Sequence, residues 1–264
     1  MMASLCARWT QWRRQRRQHR VGLDDAAWQR LLALPLLAGL SRDERGRLRD
    51  LTEAFLDHKR FSGGGGLEIE LAMCHQVAVQ AALPILNLGL DWYDGWSEVI
   101  LYAGEFVPEH EYVDEDGVVH IERDVRSGES WEHGPVILSW ADVAAGAHAC
   151  DGYNVVIHEL AHKLDMCDGE PNGFPPLHPG MSTSQWSADF SAAYADHGQR
   201  VEADQPLIDP YAAEAPGEFF AVCSEYFFER PDLLQAGYPQ VYRHLADFYR
   251  QTPLERLGYR GMHG

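Results

Sequence analysis

Apolar residues recur at helical spacing through the first third of the chain. Trp28, Leu31 and Leu32 share one face behind Asp24 or Asp25 as cap, which predicts a helix over 24–38. Ser41-Arg42-Asp43-Glu44 has the form of a capping box. A second helix is therefore expected over about 42–58, with Leu48, Leu51, Phe55 and Leu56 as its apolar stripe. Residues 67–82 continue the helical pattern, and Pro84 ends it.

The period then changes. Glu98–Tyr102, Val118–Val125 and Pro135–Trp140 read as strands. Helical spacing returns at about 152–166, 183–198, 216–229 and 238–250. Two connections invite a ligand reading. Gly63 to Gly66 has no strand before it and no Gly-Lys-Ser/Thr after it, so a linker is expected rather than a phosphate loop. The acidic turn Glu109–Gly117 lacks EF-hand spacing and reads as a solvated hairpin loop. The pattern as a whole predicts one α+β domain over residues 23–258, with helices at both ends and a small mixed sheet in the middle.

Length and charge narrow the function classes. A chain of 264 residues can bury a substantial core. Its net charge of -18 argues against nucleic acid as a direct partner. No apolar run reaches the length of about 18 residues that a membrane span needs. Arg8, Arg13, Arg14, Arg16, Arg17 and Arg20 precede the first acid, so residues 1–22 read as a disordered basic arm and 259–264 as a tail. The arm lacks the apolar centre of a secretory signal. Five cysteines with no Cys-x-x-Cys pair fit a reduced, cytoplasmic protein.

The chemistry gathers at His158-Glu159-Leu160-Ala161-His162. Residues four apart lie on one helix face, so both imidazoles can reach one metal ion. Glu159 is then placed to hold a water on that metal, and zinc is the ion this pattern serves. The plain alternative is an exposed helix with two unrelated histidines. Val155, Val156, Ile157, Leu160, Ala161 and Leu164 make the segment too apolar for that.

A catalytic zinc site needs a third protein ligand. Asp165 and Asp168 follow the motif closely, but Asp165 would reach the metal from the same helix only in a strained geometry. It suits an orienting role better. His178 stands in a Pro/Gly-rich loop, with nothing in the sequence to fix it. Residues 216–228 are more telling, because Glu218 and Glu225 stand seven apart on one face of an apolar helix. A carboxylate in such company is costly unless paired or metal-bound, so one of the two is expected to be the ligand.

The run from His158 to Asp165, then Tyr211-Ala212-Ala213, then Glu218 to Phe228, resembles the Mlc titration factor A family of zinc metallopeptidases. Leu86 to Gly95, Ser127 to Trp131 and Pro135 to Trp140 fit the same pattern, and the likeness spans roughly residues 24 to 257. That family is related to the catalytic domain of anthrax lethal factor. The resemblance implies a zincin-like fold of the gluzincin type. It implies zinc on His158, His162 and Glu218, with Glu159 as base. Tyr211 stands seven residues before Glu218, the spacing at which the lethal factor domain carries a tyrosine that stabilises the oxyanion. One departure stands out. Thermolysin-like gluzincins carry an acid four residues after the ligand glutamate, where this chain has Val222. Glu225 or Asp165 is expected to orient a ligand histidine instead.

The resemblance further implies aminopeptidase-like cleavage of short peptides and binding of the glucose repressor Mlc. The strand at 135–140 or at 118–125 is the expected place for an extended substrate to pair. A contrasting expectation is a repressor-sequestering protein whose zinc is structural or weakly active, closed by a fourth ligand such as His178.

Overall fold

The computed structural model describes residues 22–105, 109–113, 119–123, 128–130 and 134–259. Residues 1–21, which carry nearly all of the expected basic arm, lie outside the described residues, as do 260–264.

Among the described residues, three helices come first: α1 (Asp25–Leu31), α2 (Arg42–His58) and α3 (Leu71–Ala82). Asp24 caps α1 by accepting the Ala27 N–H at 2.6 Å. The capping box of α2 forms as the sequence suggests, with Ser41 Oγ accepting from Glu44 N at 3.3 Å and Glu44 Oε2 from Ser41 N at 2.8 Å. α1 is shorter than expected. Pro35 has no N–H to continue a helix, and Pro35–Leu37 form a separate 3-10 turn.

The described residues also form six strands, the first lying between α2 and α3: β1 (Arg60–Gly63), β2 (Glu98–Tyr102), β3 (Glu109–Val113), β4 (Val119–Arg123), β5 (Gly128–Ser130) and β6 (Val136–Ser139). One sheet has the order β1-β2-β6-β5. Its first three strands are parallel, and β5 pairs antiparallel to β6. β3 and β4 form a separate antiparallel hairpin, with Glu109 opposite Arg123. The acidic stretch read as a loop thus contributes a strand, and 114–118 lie outside the described residues.

The glycine run corrects the linker expectation, because strand β1 leads directly into it. Gly64 lies so close to β2 that a Cβ there would stand 2.4 Å from the Tyr102 ring. The glycines permit close packing as well as a turn. A second correction concerns the substrate strand. β6 is an inner strand and β4 belongs to the hairpin, so neither is the open edge of the main sheet. The edge beside the motif helix is β5.

Ser139 is both the last residue of β6 and the N-cap of α4 (Trp140–Ala149). Among the described residues, six further helices follow: α5 (Val155–Asp165), α6 (Thr183–Glu202), α7 (Pro216–Glu229), α8 (Pro231–Gly237), α9 (Pro239–Tyr249) and α10 (Pro253–Arg256). The last four each begin on proline, where a missing N–H goes unfelt. The motif helix α5 packs against β5, β6 and α7, and ten of its residues are buried. Its neighbours share one apolar cluster, in which Trp186 stacks on Phe190 at 4.3 Å between centroids. Among the described residues, no helix is long and apolar enough to cross a membrane. Cys74, Cys150, Cys167 and Cys223 are free.

Candidate metal centre

Helix α5 starts where the sequence supplies a strong cap. Asn154 Oδ1 accepts the Ile157 N–H at 3.0 Å, and the Asn154 carbonyl accepts the His158 N–H at 2.9 Å. From that start, His158 and His162 fall one turn apart and face α7. Their Nε2 atoms stand 3.2 Å apart. Glu218, in the first turn of α7, brings Oε2 to 3.0 Å from His158 Nε2 and 3.2 Å from His162 Nε2. Among the described residues, these three are the His/Cys/Asp/Glu group whose donor atoms converge as a metal site requires.

The donor set fits zinc. Ligands at zinc–nitrogen and zinc–oxygen distances of about 2.0–2.1 Å and tetrahedral angles stand about 3.3 Å from one another. The observed triangle is close to that size. Two imidazoles and one carboxylate are also a chemically apt set for the ion.

Residues 9–250 match the family described as glucose-regulated metallo-peptidase M90. The chain is a member of the M90 family. It is 39% identical over 249 residues to Mlc titration factor A of Escherichia coli O9:H4 (strain HS), covering 93% of this chain and 92% of that protein. Mlc titration factor A of Salmonella arizonae is 42% identical over 236 residues, with 88% and 94% covered. The Cronobacter sakazakii protein of the same name is 41% identical over 245 residues, with 92% of each chain covered. The likeness drawn from the motifs therefore extends along nearly the whole chain, and a metal-dependent peptidase is the class to which the M90 chain belongs.

Charge around the M90 donor group favours a cation. Burial alone would pull the His158 pKa down, but Glu225 and Glu218 together hold it well above the usual imidazole range. Burial likewise works to raise Glu218, and the two imidazoles outweigh it and hold the carboxyl far below its ordinary value. The acids that favour a proton on His158 favour a metal ion at Nε2 for the same Coulombic reason.

The two candidates for orienting a histidine part company. Glu225 Oε1 lies 2.7 Å from His158 Nδ1 and is only 2% exposed. Its other oxygen accepts the Asn154 N–H. Such a carboxylate fixes the ring and leaves Nε2 to face the donor group. Asp165 does something else. Its oxygens accept the N–H groups of Gly173 at 2.7 Å and Phe174 at 2.8 Å, which folds the following loop back on α5. Burial pushes Asp165 up to about 6 in spite of those bonds. The Nδ1 of His162 is buried and has no hydrogen-bond partner among the described residues.

Glu159 is buried within α5, next in sequence to His158. Tyr211 is 44% exposed, and its ring centroid lies 6.0 Å from that of His158. Asp168 ends the 3-10 turn after α5 and stands outside the donor group. His178 is a packing residue. Its Nε2 lies 2.8 Å from the Phe248 carbonyl, and its ring sits against Trp92 and Phe248. The donor group among the described residues thus has three members, with His178 no part of it.

Sequence reasoning passed over Asn154, Gln80 and Glu229, all buried behind the site. Glu229 carried a readable signal, since it follows Glu225 by one helical turn in the same apolar helix. Nothing local marks Gln80, which reaches Asn154 across 74 positions of chain.

Proposed function

We propose that this chain is a zinc-dependent, aminopeptidase-like hydrolase of short peptides, built as a single zincin-like domain over residues 23–258 and working in the cytoplasm. His158, His162 and Glu218 hold the metal in the manner of a gluzincin. When bound, zinc acidifies a water molecule and polarises the substrate carbonyl. Glu159 accepts the proton of the attacking water and passes it to the leaving amine. Tyr211 donates a hydrogen bond to the oxygen that gains charge at the tetrahedral stage. The edge of β5 receives the extended peptide backbone.

The observation that carries this reading is the triangle of donors, 3.0 to 3.2 Å on a side, whose two histidines share the buried helix α5 with Glu159 and whose third corner is Glu218 of α7. Three protein ligands leave a position for water, as catalytic zinc sites do. The test combines metal analysis with turnover of aminoacyl reporters and internally quenched peptides. The expected result is one zinc per chain and cleavage that prefers free N-termini. Glu159→Gln should keep the zinc and lose turnover by at least about a hundredfold. Turnover preserved in that variant rejects Glu159 as the base.

The name of the relatives, Mlc titration factor A, supports an added regulatory role: binding of an Mlc-like transcription repressor. In the contrasting version, sequestration is the main function and hydrolysis a weak one. Tight repressor capture by Glu159→Gln in a pull-down favours that version, since sequestration needs no chemistry.

A further inference from the structure

One face of α7 carries three carboxylates. Glu218, Glu225 and Glu229 are spaced by seven and four residues, so all point toward α5. The first meets the donor group and the second meets His158. The third meets the turn that launches α5. Glu229 Oε2 accepts the Gly152 N–H at 3.2 Å, and Oε1 accepts from Asn154 Nδ2 at 2.9 Å. The same Asn154 amide group donates to Gln80 Oε1 at 2.9 Å. Asn154, Gln80 and Glu229 are each no more than 1% exposed.

The turn is built for this contact. Gly152 has a φ of 103°, which favours glycine, and a Cβ there would stand 2.7 Å from the Tyr226 ring. Within three residues, Gly152, Tyr153 and Asn154, the backbone offers one N–H to Glu229 and one to Glu225. Two acids one helical turn apart on α7 therefore grip the first residues of α5 together.

A buried carboxyl group is costly even when it accepts two hydrogen bonds. Neutral residues could pack the two helices at lower cost. What an apolar pair would lack is register. Asn154 sets where α5 starts, and it holds Glu225 through its own N–H. Glu225 in turn holds His158.

We propose that Glu229, acting through Asn154 with Gln80, is a positioning residue of the metal centre, fixing the register of α5 against α7 so that His158 meets Glu218. This rests on the reading that His158, His162 and Glu218 bind the metal. Glu229 touches neither metal nor substrate. Its effect is to keep the donor triangle at the size of the zinc coordination sphere.

The test is zinc affinity, measured on the full chain by competition with a chromophoric chelator, alongside urea unfolding of the metal-free protein. Glu229→Gln replaces one oxygen, able to accept in either protonation state, with an amide nitrogen that only donates and faces another donor. Asn154→Ser keeps a capping oxygen but drops the links to Glu229 and Gln80. Each variant should weaken zinc binding by about tenfold, the low end for partners lying behind a ligand. Leu48→Ala, in the core of α2, should lower the unfolding midpoint and leave zinc affinity within twofold. Pairing Glu229→Gln with Asn154→Asp restores a donor opposite an acceptor at the α7 contact but turns an acceptor toward Gln80 Oε1, so it should recover only part of the affinity. If Glu229→Gln does not fold, Asn154→Ser decides the matter. Wild-type affinity in both variants overturns this inference alone. A wild-type chain that binds no zinc overturns the metal-centre reading and this inference with it.

Discussion

Glu225 reaches across 67 positions of sequence to set Oε1 2.7 Å from Nδ1 of His158. That contact decides which ring nitrogen of His158 faces the donor group. Glu225→Ala leaves a buried ring N–H and the Asn154 N–H without their acceptor. Zinc affinity should fall by about 10- to 100-fold. Chelator competition measures it, and a dissociation constant within twofold of wild type would remove Glu225 from any orienting role.

Tyr211 offers a cleaner separation of binding from chemistry. It is well exposed, so Tyr211→Phe should change folding stability by no more than about 0.5 kcal/mol. Loss of one donor to a developing oxyanion typically lowers kcat by about a hundredfold to a thousandfold, with KM little changed. Steady-state kinetics on a good peptide substrate check this. A variant with wild-type kcat shows that the hydroxyl takes no part.

Asp165 and Glu225 are both buried acids near the site, yet they should behave in opposite ways. Asp165→Ala removes the acceptor of the Gly173 N–H and one of the two acceptors of the Phe174 N–H. Metal-free stability should drop by about 1–3 kcal/mol in urea unfolding. Zinc affinity of the folded protein should stay within about threefold, because the carboxylate holds a loop and not a histidine. A large loss of affinity with intact stability would return Asp165 to the role of orienting a ligand histidine.

Burial pushes the Glu229 carboxyl from 4.5 up to about 8, against the two hydrogen bonds it accepts. The folded chain keeps this proton up to about pH 8, and the unfolded chain releases it near 4.5. Between those values folding takes up a proton, so a rise in pH lowers stability. Glu229→Gln has no such proton to lose. Its metal-free stability should fall less steeply than that of wild type between about pH 5 and pH 8. Urea midpoints across that range test the point, and parallel curves reject it.

The legible part of the site was the local part. His158, Glu159 and His162 declare themselves because a fixed helical period places them on one face, whatever the rest of the fold does. Glu218 and Glu225 share a face too, and so the sequence could not divide their roles without the family likeness. Only the crossing of α5 and α7 sends the first to the donor group and the second to the back of the ring. Asp165 misled for a related reason. Its spacing from His162 suits an orienting acid, but the loop at 172–174 returns and takes both oxygens.

The fold shows the same limit. Long helices with clear stripes, such as α2 and α7, were visible at nearly their full length. β1 was not, since Arg60-Phe61-Ser62-Gly63 has no alternation and runs into glycines. α4 was missed because no turn separates it from β6. Ser139 closes the strand and caps the helix in one residue. Signals that depend on a partner elsewhere in the chain leave little trace in a local pattern.

The shared face of α7 makes the interval from residue 218 to residue 229 intolerant of length change. One inserted residue turns everything beyond it by about 100° and carries it about 1.5 Å along the axis. Glu225 and Glu229 would then swing off α5 together while Glu218 stayed in place. Insertions should be absorbed in the turn at 168–170 instead, ahead of the Gly173 and Phe174 contacts that tie the rest of that loop to α5.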